Sequence, residues 1–301
     1  MSSIALLGAI ELGLIYALVG LGVYLSFRVL DFPDLTVDGS FPLGAAVTAV
    51  LLVAGADPWV ATGAGVVAGA LAGFVTAFVT VRFGVLHLLA SILTMIALFS
   101  VNLRIMGRPN IALLTEATVL TPWLSGGTFG GLVADEYVRP LFLAVVVLAA
   151  VALVAAFLRS EAGLAMRATG ANPRMARAQG VRTGVQIIVG VMLSNGLVGL
   201  AGALFAQTNG FADVTSGVGT IVVGLAAVIV GETFIPRRRI FWALVGCVVG
   251  AVIYRLAVQT ALSIDFLGLQ ASDLNLATAL LVLVALVLPK LRHRVRTRAA
   301  S

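Results

Sequence analysis

Nine apolar runs dominate this 301-residue chain, at 4–27, 42–56, 58–81, 85–105, 140–158, 184–206, 219–235, 240–262 and 274–288. Six of them approach or exceed the roughly 20 residues that a helix needs to cross the hydrocarbon core of a bilayer. Only 11% of the residues are charged and the mean hydropathy is +1.12, where a soluble chain carries about a quarter charged residues. So much apolar surface has no place to hide in water, so lipid is the expected solvent. The reading is an all-α polytopic helical bundle of about nine spans, forming a single transmembrane domain over 1–301 with no separate soluble domain.

The sign and placement of charge supply a topology. The formal charge of +6 would suit nucleic acid, but the basic residues fall in short gaps between apolar runs: at Arg28, at Arg82, between Arg159 and Arg182, at Arg237 to Arg239, and in the tail from Lys290 to Arg298. That is how membrane orientation is encoded. Nine spans with an external N-terminus put every cluster, and the C-terminal tail 290–301, in the cytoplasm. Of the 19 basic residues, 15 are then cytoplasmic, Arg104, Arg108 and Arg139 are external, and Arg255 lies within a span. The first run is too long for a signal segment and lacks a basic leader, so it reads as a retained span. A lone cysteine, Cys247, excludes a disulfide framework within the chain.

Two runs are short and each comes after a polar stretch. Residues 42–56 come after Asp31-Phe-Pro-Asp-Leu-Thr-Val-Asp-Gly-Ser40, and residues 219–235 after Asn209-Gly-Phe-Ala-Asp-Val-Thr-Ser-Gly217. At an offset of 179, Phe32, Asp34 and Thr36 align with Phe211, Asp213 and Thr215. In the nine-span topology the first copy starts inside and the second outside, the pattern of an inverted repeat. Short, interrupted segments at matching positions point to a transport site, because unwound backbone at membrane depth is tolerated only where it is buried in protein or lines a cavity. Burying a carboxylate in hydrocarbon costs at least ~2.5–3.5 kcal/mol, so Asp34, Asp38 and Asp213 are expected to face water or partners. One reading sets Phe32, Asp34, Thr36, Asp38, Asn195, Phe211, Asp213 and Thr215 along a central pathway, with carboxylates meeting an ammonium and half-helix N-termini attracting a carboxylate. The other takes 31–40 as a cytoplasmic loop carrying helix-capping acids. Asn195 and Asn102 also suit interhelical packing. Gly65, Gly69 and Gly73 allow a close helix approach, either within the subunit or between subunits. Glu232 is expected to pair with the basic run just after it, and Glu11 is a packing partner or a pathway residue.

The segment 160–182 is the longest cytoplasmic stretch. It reads as a short helix, a break at Gly170 and Asn172-Pro173, and a second turn beginning at proline. Arginines flank small residues, as on a surface made to dock. Residues 107–139 form the longest external stretch, either a docking site for a binding protein or a loop lying on the membrane.

The string Gly163-x-Ala165-x-Arg167-Ala168-x-Gly170-x-Asn172, followed by Ala176 and Gly180, resembles the coupling-helix signature of bacterial ABC import permeases of the branched-chain amino acid and ribose class. Asp34-Leu-Thr-Val-Asp-Gly-Ser40 is similar to the broken-helix segment of that class, with Asp38 standing where a glycine is usual. The fuller string from Leu30 to Gly44 resembles one subgroup, encoded beside a lipoprotein-type binding protein and a single ATPase. The resemblance implies an inner-membrane, multi-pass permease subunit importing an amino acid or similar small polar solute by alternating access. It implies a homodimer, a cytoplasmic ABC ATPase and an extracytoplasmic solute-binding protein. Gly163, Arg167, Ala168, Gly170, Asn172, Pro173, Arg174 and Gly180 would then form the surface that couples to the ATPase. ATP and Mg would be bound by that partner; no cofactor is expected in this chain, which has no phosphate-binding Gly-x-x-x-x-Gly-Lys-[Ser/Thr] motif. His87 and His293 lie far apart in sequence, so neither a metal centre nor any catalytic residue is expected. The alternative is an ion-coupled secondary transporter of small solutes, which would share the repeat and the buried acids.

Overall fold

A computed structural model describes residues 3–124, 135–235 and 239–262. Six helices are long and apolar enough to cross a membrane: Ala5–Val29, Pro58–Phe83, His87–Met106, Tyr137–Arg159, Thr183–Asn209 and Ile240–Thr260. Two shorter apolar helices, Val37–Val53 and Thr220–Phe234, coincide with the two short runs. Eight of the nine expected runs are therefore helical, and the ninth, 274–288, lies outside the described residues, as does the tail 290–301.

In chain order the elements are α1 (Ser3–Val23), which continues as a π-helical turn Tyr24–Val29; α2 (Val37–Val53); α3 (Pro58–Phe83); α4 (His87–Met106); β1 (Asn110–Ala112); α5 (Thr121–Leu124); α6 (Asp135–Arg159); α7 (Glu161–Ala171); α8 (Pro173–Ala178); α9 (Thr183–Asn209); β2 (Phe211–Asp213); α10 (Thr220–Phe234); and α11 (Ile240–Leu262). Two boundaries differ from expectation. Helix α2 starts five residues before Pro42 and α6 five before Pro140, so each proline sits in the second helical turn. There the proline removes one i→i−4 hydrogen bond, which in α2 leaves the Asp38 carbonyl oxygen without its helical donor. The all-α expectation needs one amendment. Strands β1 and β2 pair antiparallel, with Asn110 opposite Asp213 and Ala112 opposite Phe211, and this clasp joins the chain leaving α4 to the chain leaving α9.

Long-range contacts mark two ends of the bundle. The clasp puts the C-terminal ends of α4 and α9 on one side. On the other, Arg28 at the end of α1 meets Glu232 at the end of α10, Nη2 to Oε2 at 2.6 Å, and α7 packs under the π-helical turn. Glu232 thus pairs with a residue 204 positions away. Arg237 and Arg238 of the basic run, with which a pairing is expected from the sequence, lie outside the described residues.

Helix α9 is the hub, packing on α1, α2 and α3. In lipid, apolar surface gives little net drive for helix association, so the helices rely on close van der Waals fit and interhelical hydrogen bonds. Small residues make that fit possible. A Cβ on Gly69 would collide with the Asn195 carbonyl oxygen, and one on Gly199 would lie 2.6 Å from that of Gly65. Gly65, Gly69 and Gly73 therefore serve packing within the subunit. Gly69→Val and Gly199→Val should each lower the thermal unfolding midpoint of the detergent-solubilised protein by several degrees, since overpacking a tight contact costs about 1–3 kcal/mol or more. Gly63→Val, on the same helix but with nothing within 4 Å of its Cβ, should leave the midpoint unchanged.

Candidate functional site

The two interrupted segments begin from the same local geometry. In the first, Asp34 Oδ1 accepts the Thr36 amide at 2.9 Å; in the second, Asp213 Oδ1 accepts the Thr215 amide at 2.7 Å. Both are Asx turns, in which a carboxylate replaces the helical carbonyl that the backbone has not yet supplied. The 179-residue offset is therefore matched by shared backbone chemistry. The surroundings diverge from there.

In the first copy Phe32, Asp34 and Thr36 are all buried. Asp34 Oδ2 accepts from Asn195 Nδ2 at 2.6 Å, and Asn195 Oδ1 accepts from Ser40 Oγ at 2.7 Å. Thr36 and Thr76 share a hydroxyl–hydroxyl bond of 2.7 Å. Asp34, Thr36, Ser40, Thr76 and Asn195 are all 0% exposed, so this polar knot ties the break between α1 and α2 to α3 and α9. Amide and hydroxyl donors hold Asp34, and no cation reaches it among the described residues. Within a low-dielectric interior such a network is stable only if its members are satisfied together. Phe32, 1% exposed, closes the knot on one side with its ring 4.3 Å from that of His87.

The second copy lies at the clasp. Asp213 also accepts from the Thr215 hydroxyl at 2.5 Å and from Asn110 Nδ2 at 3.2 Å. Partial burial pushes its carboxyl up, but the Thr215 hydroxyl and amide and the Asn110 amide outweigh that and hold it below the usual carboxylate range. Phe211 is 38% exposed, its ring 6.2 Å from Phe205. Asp213 and Thr215 do not join the Asp34 knot.

Asp38 links the two interrupted segments. Its Oδ1 accepts the Ile221 amide at 2.7 Å and its Oδ2 the Gly219 amide at 3.3 Å, so the first turn of α2 supplies the N-terminal cap of α10. The loop before α10 runs so close to α2 that a Cβ on Gly217 would collide with the Asp38 carbonyl oxygen. The half-helix N-terminus expected to attract a ligand carboxylate is, at α10, occupied by an internal one. Asp38 itself was a visible clue to this arrangement along the chain, but its partner 183 residues away was not. Nothing marked Ser40 and Thr76, single hydroxyls among apolar neighbours.

The segment 160–182 folds as an elbow. Ser160 Oγ accepts the Gly163 amide at the start of α7, and Asn172 Oδ1 accepts the Met175 amide at the start of α8. Gly163, Gly170 and Ala176 of the motif face inward. A Cβ on Gly163 would run into the Phe157 carbonyl oxygen, and one on Gly170 into the Val29 carbonyl oxygen. Arg167, Ala168, Asn172, Pro173, Arg174 and Gly180 are exposed, together with Leu164 and Met175. The motif therefore divides into residues that shape the elbow and residues that it presents outward.

Set beside known proteins, residues 5–288 match the model of the branched-chain amino acid transport system / permease component family. A tyrosine transport system permease protein of Clostridioides difficile (strain R20291) is 35% identical over 274 residues, covering 91% of this chain and 87% of the relative. The uncharacterized protein RP368 of Rickettsia prowazekii (strain Madrid E) is 34% identical over 285 residues, 93% of this chain and 96% of its own length. No solved structure matches. With a multi-pass apolar helical fold and a family match over nearly its whole length, this chain belongs to the branched-chain amino acid transport permeases.

Proposed function

We propose that this chain is the membrane subunit of a binding-protein-dependent, ATP-driven importer of an amino acid, working as a homodimer with a cytoplasmic ABC ATPase and an extracytoplasmic solute-binding protein. Amino acids as cargo rest on the family and on the tyrosine permease relative. The observation that carries the mechanism is the seat of the elbow. Gly170 lies directly against the backbone at Val29 and Leu30, where α1 gives way to the interrupted segment. Leu30 in turn is wedged against α7 and α9: its Cδ1 fills the space that a Cβ of Gly190 would need, and the Met166 thioether of α7 lies beside the same position. A push on α7 thus reaches Leu30, then Asp31, whose φ of +54° already holds the chain in a left-handed kink, then the Asp34 knot.

In this reading the elbow face is cytoplasmic and docks on the ATPase through Arg167, Ala168, Arg174 and Met175. Closure of the ATPase on ATP shifts the elbow and switches the access of a central route between two states. Phe32, Asp34, Thr36 and Asn195 hold the inner part of that route, Asp38 its middle, and Phe211, Asp213 and Thr215 the side near the clasp. Orientation with the N-terminus external comes from putting the elbow inside.

Liposomes containing the chain, a candidate ATPase and its binding protein should take up amino acid only with ATP. Uptake by the chain alone on an ion gradient would instead establish a secondary transporter. Arg167→Glu and Met175→Glu, both on exposed positions, should preserve folding yet reduce copurification of the ATPase and ATP-dependent uptake by roughly tenfold or more, as at interface hot spots; unchanged assembly would remove the elbow from the coupling role. Asp34→Ala should abolish uptake and also lower thermal stability, because it leaves the Asn195 amide buried without its acceptor, at about 1–3 kcal/mol. Asp213→Ala should impair uptake with little loss of stability, since that carboxylate is more exposed; normal uptake by the Asp213 variant would take the clasp out of the route.

A further inference from the structure

A cavity of about 390 Å³ opens beside Asp38, bounded by Asp38 and Pro42 of α2, Met95, Phe99 and Asn102 of α4, and Val218 of the loop before α10. Its size is that of a small-molecule site, roughly 300–1,000 Å³. Its walls are mostly apolar, and its polar lining residues are Asp38, Ser100 and Asn102. Asn102 is 0% exposed and its Nδ2 donates to the Gly39 carbonyl oxygen at 3.3 Å. Turning the amide over would set two acceptor oxygens against each other, so Oδ1 must be the free atom, and it has no hydrogen-bond partner. A buried acceptor without a donor is costly, and Asn102 is among the residues that bound the cavity.

Asp38 adds to the same bias. Its carboxylate accepts two amides from the first turn of α10, which leaves about half of its roughly four lone-pair positions open. Asp38 and Asn102 therefore offer acceptors and negative charge. The α10 amides that could have received an anion are engaged by Asp38. Met95, Phe99, Pro42 and Val218 form a sulfur-, ring- and branched-chain-lined pocket suited to a bulky apolar group.

The geometry points to this cavity as a cation-first subsite for amino acids with large apolar side chains: the ligand's primary ammonium sits between the Asp38 carboxylate and Asn102 Oδ1, and its side chain lies against Met95 and Phe99. The inference deepens the reading of the chain as an amino-acid permease and rests on it. In it, Asp38 has two tasks, capping α10 and receiving the ammonium, so ligand arrival alters the charge at the joint between the two interrupted segments.

The test is ligand-detected NMR on the full chain in nanodiscs of phosphatidylglycerol alone, which exclude a lipid amine as occupant. L-Phenylalanine and phenethylamine should bind and compete with each other, whereas N-acetylphenylalanine and hydrocinnamate, which lack the ammonium, should not. Asp38→Asn, which keeps an acceptor for the α10 amides, and Asn102→Leu, close in shape, should each weaken phenethylamine binding roughly ten- to hundredfold, as loss of a hydrogen bond to a charged group does. Both should keep the wild-type elution profile, with the thermal midpoint lowered by only a few degrees for the lost cap or interhelical bond, and Asp31→Asn should leave binding unchanged. Equal binding of acetylated and free amines, no binding of either amine, or unchanged affinity in both variants would overturn the assignment. ATP-driven amino-acid uptake by the wild-type transporter separates the two levels: uptake together with any of those results removes this subsite alone, whereas no uptake of any amino acid removes the functional reading beneath it.

Discussion

A hydrogen bond of 2.6 Å from the Asn195 amide to the Asp34 carboxylate holds the least regular part of this molecule in place. Between Leu30 and Thr36 the chain leaves helical geometry, where Phe32, Asp34 and Thr36 are buried among neighbouring helices. Irregular backbone survives there only when side chains and neighbouring helices take over the missing bonds. Asp34 takes the Thr36 amide, Asn195 takes Asp34, Ser40 closes on Asn195, and Thr76 reaches Thr36 from α3. The glycine seam between α3 and α9 brings these groups within reach: a Cβ on Gly73 would stand 2.9 Å from the Asn195 side chain. Close packing and polar satisfaction are thus one constraint.

The same economy shapes the second interruption. The N-terminus of α10, with its unpaired amides and positive dipole end, lies within the bundle, and Asp38 from the other half neutralises it. At its far end α10 is held by Glu232 on Arg28. Both ends of this short helix are therefore tied to the first half of the chain by charge, while its middle packs on α1 and α11 through small residues. A helix fastened in this way can move as a unit with α1 and α2. That suits the proposed coupling, in which an elbow seated under α1 passes motion to a route bounded by both interruptions.

The elbow shows how one sequence motif can carry two kinds of information. Gly163 and Gly170 have no room for a side chain against Phe157 and Val29, and Ser160 and Asn172 end-cap the two short helices. Those residues specify shape. Leu164, Arg167, Arg174 and Met175 are left facing outward. A string in which both kinds alternate reads as a single signature, although only the outward set is free to meet another protein.

Local chemistry and the bilayer account for the features legible along the chain. Apolar length marks the spans, the distribution of arginines marks an alternation that the Arg28–Glu232 pair and the β1–β2 clasp obey, and the Asp-x-Thr repeat marks two Asx turns. Packing in three dimensions chose which aspartate is buried, since Asp34 and Asp213 have the same local turn and differ only in what lies over them. It also made Asp38 the cap of a helix 181 residues away, gave Glu232 to Arg28, and left Asn102 with an unanswered oxygen beside a cavity. Hydropathy and turn propensity are properties of neighbours along the chain. The partner of a buried polar group is set by which helices approach closely enough to touch, and in lipid that depends on the shape of whole helix faces.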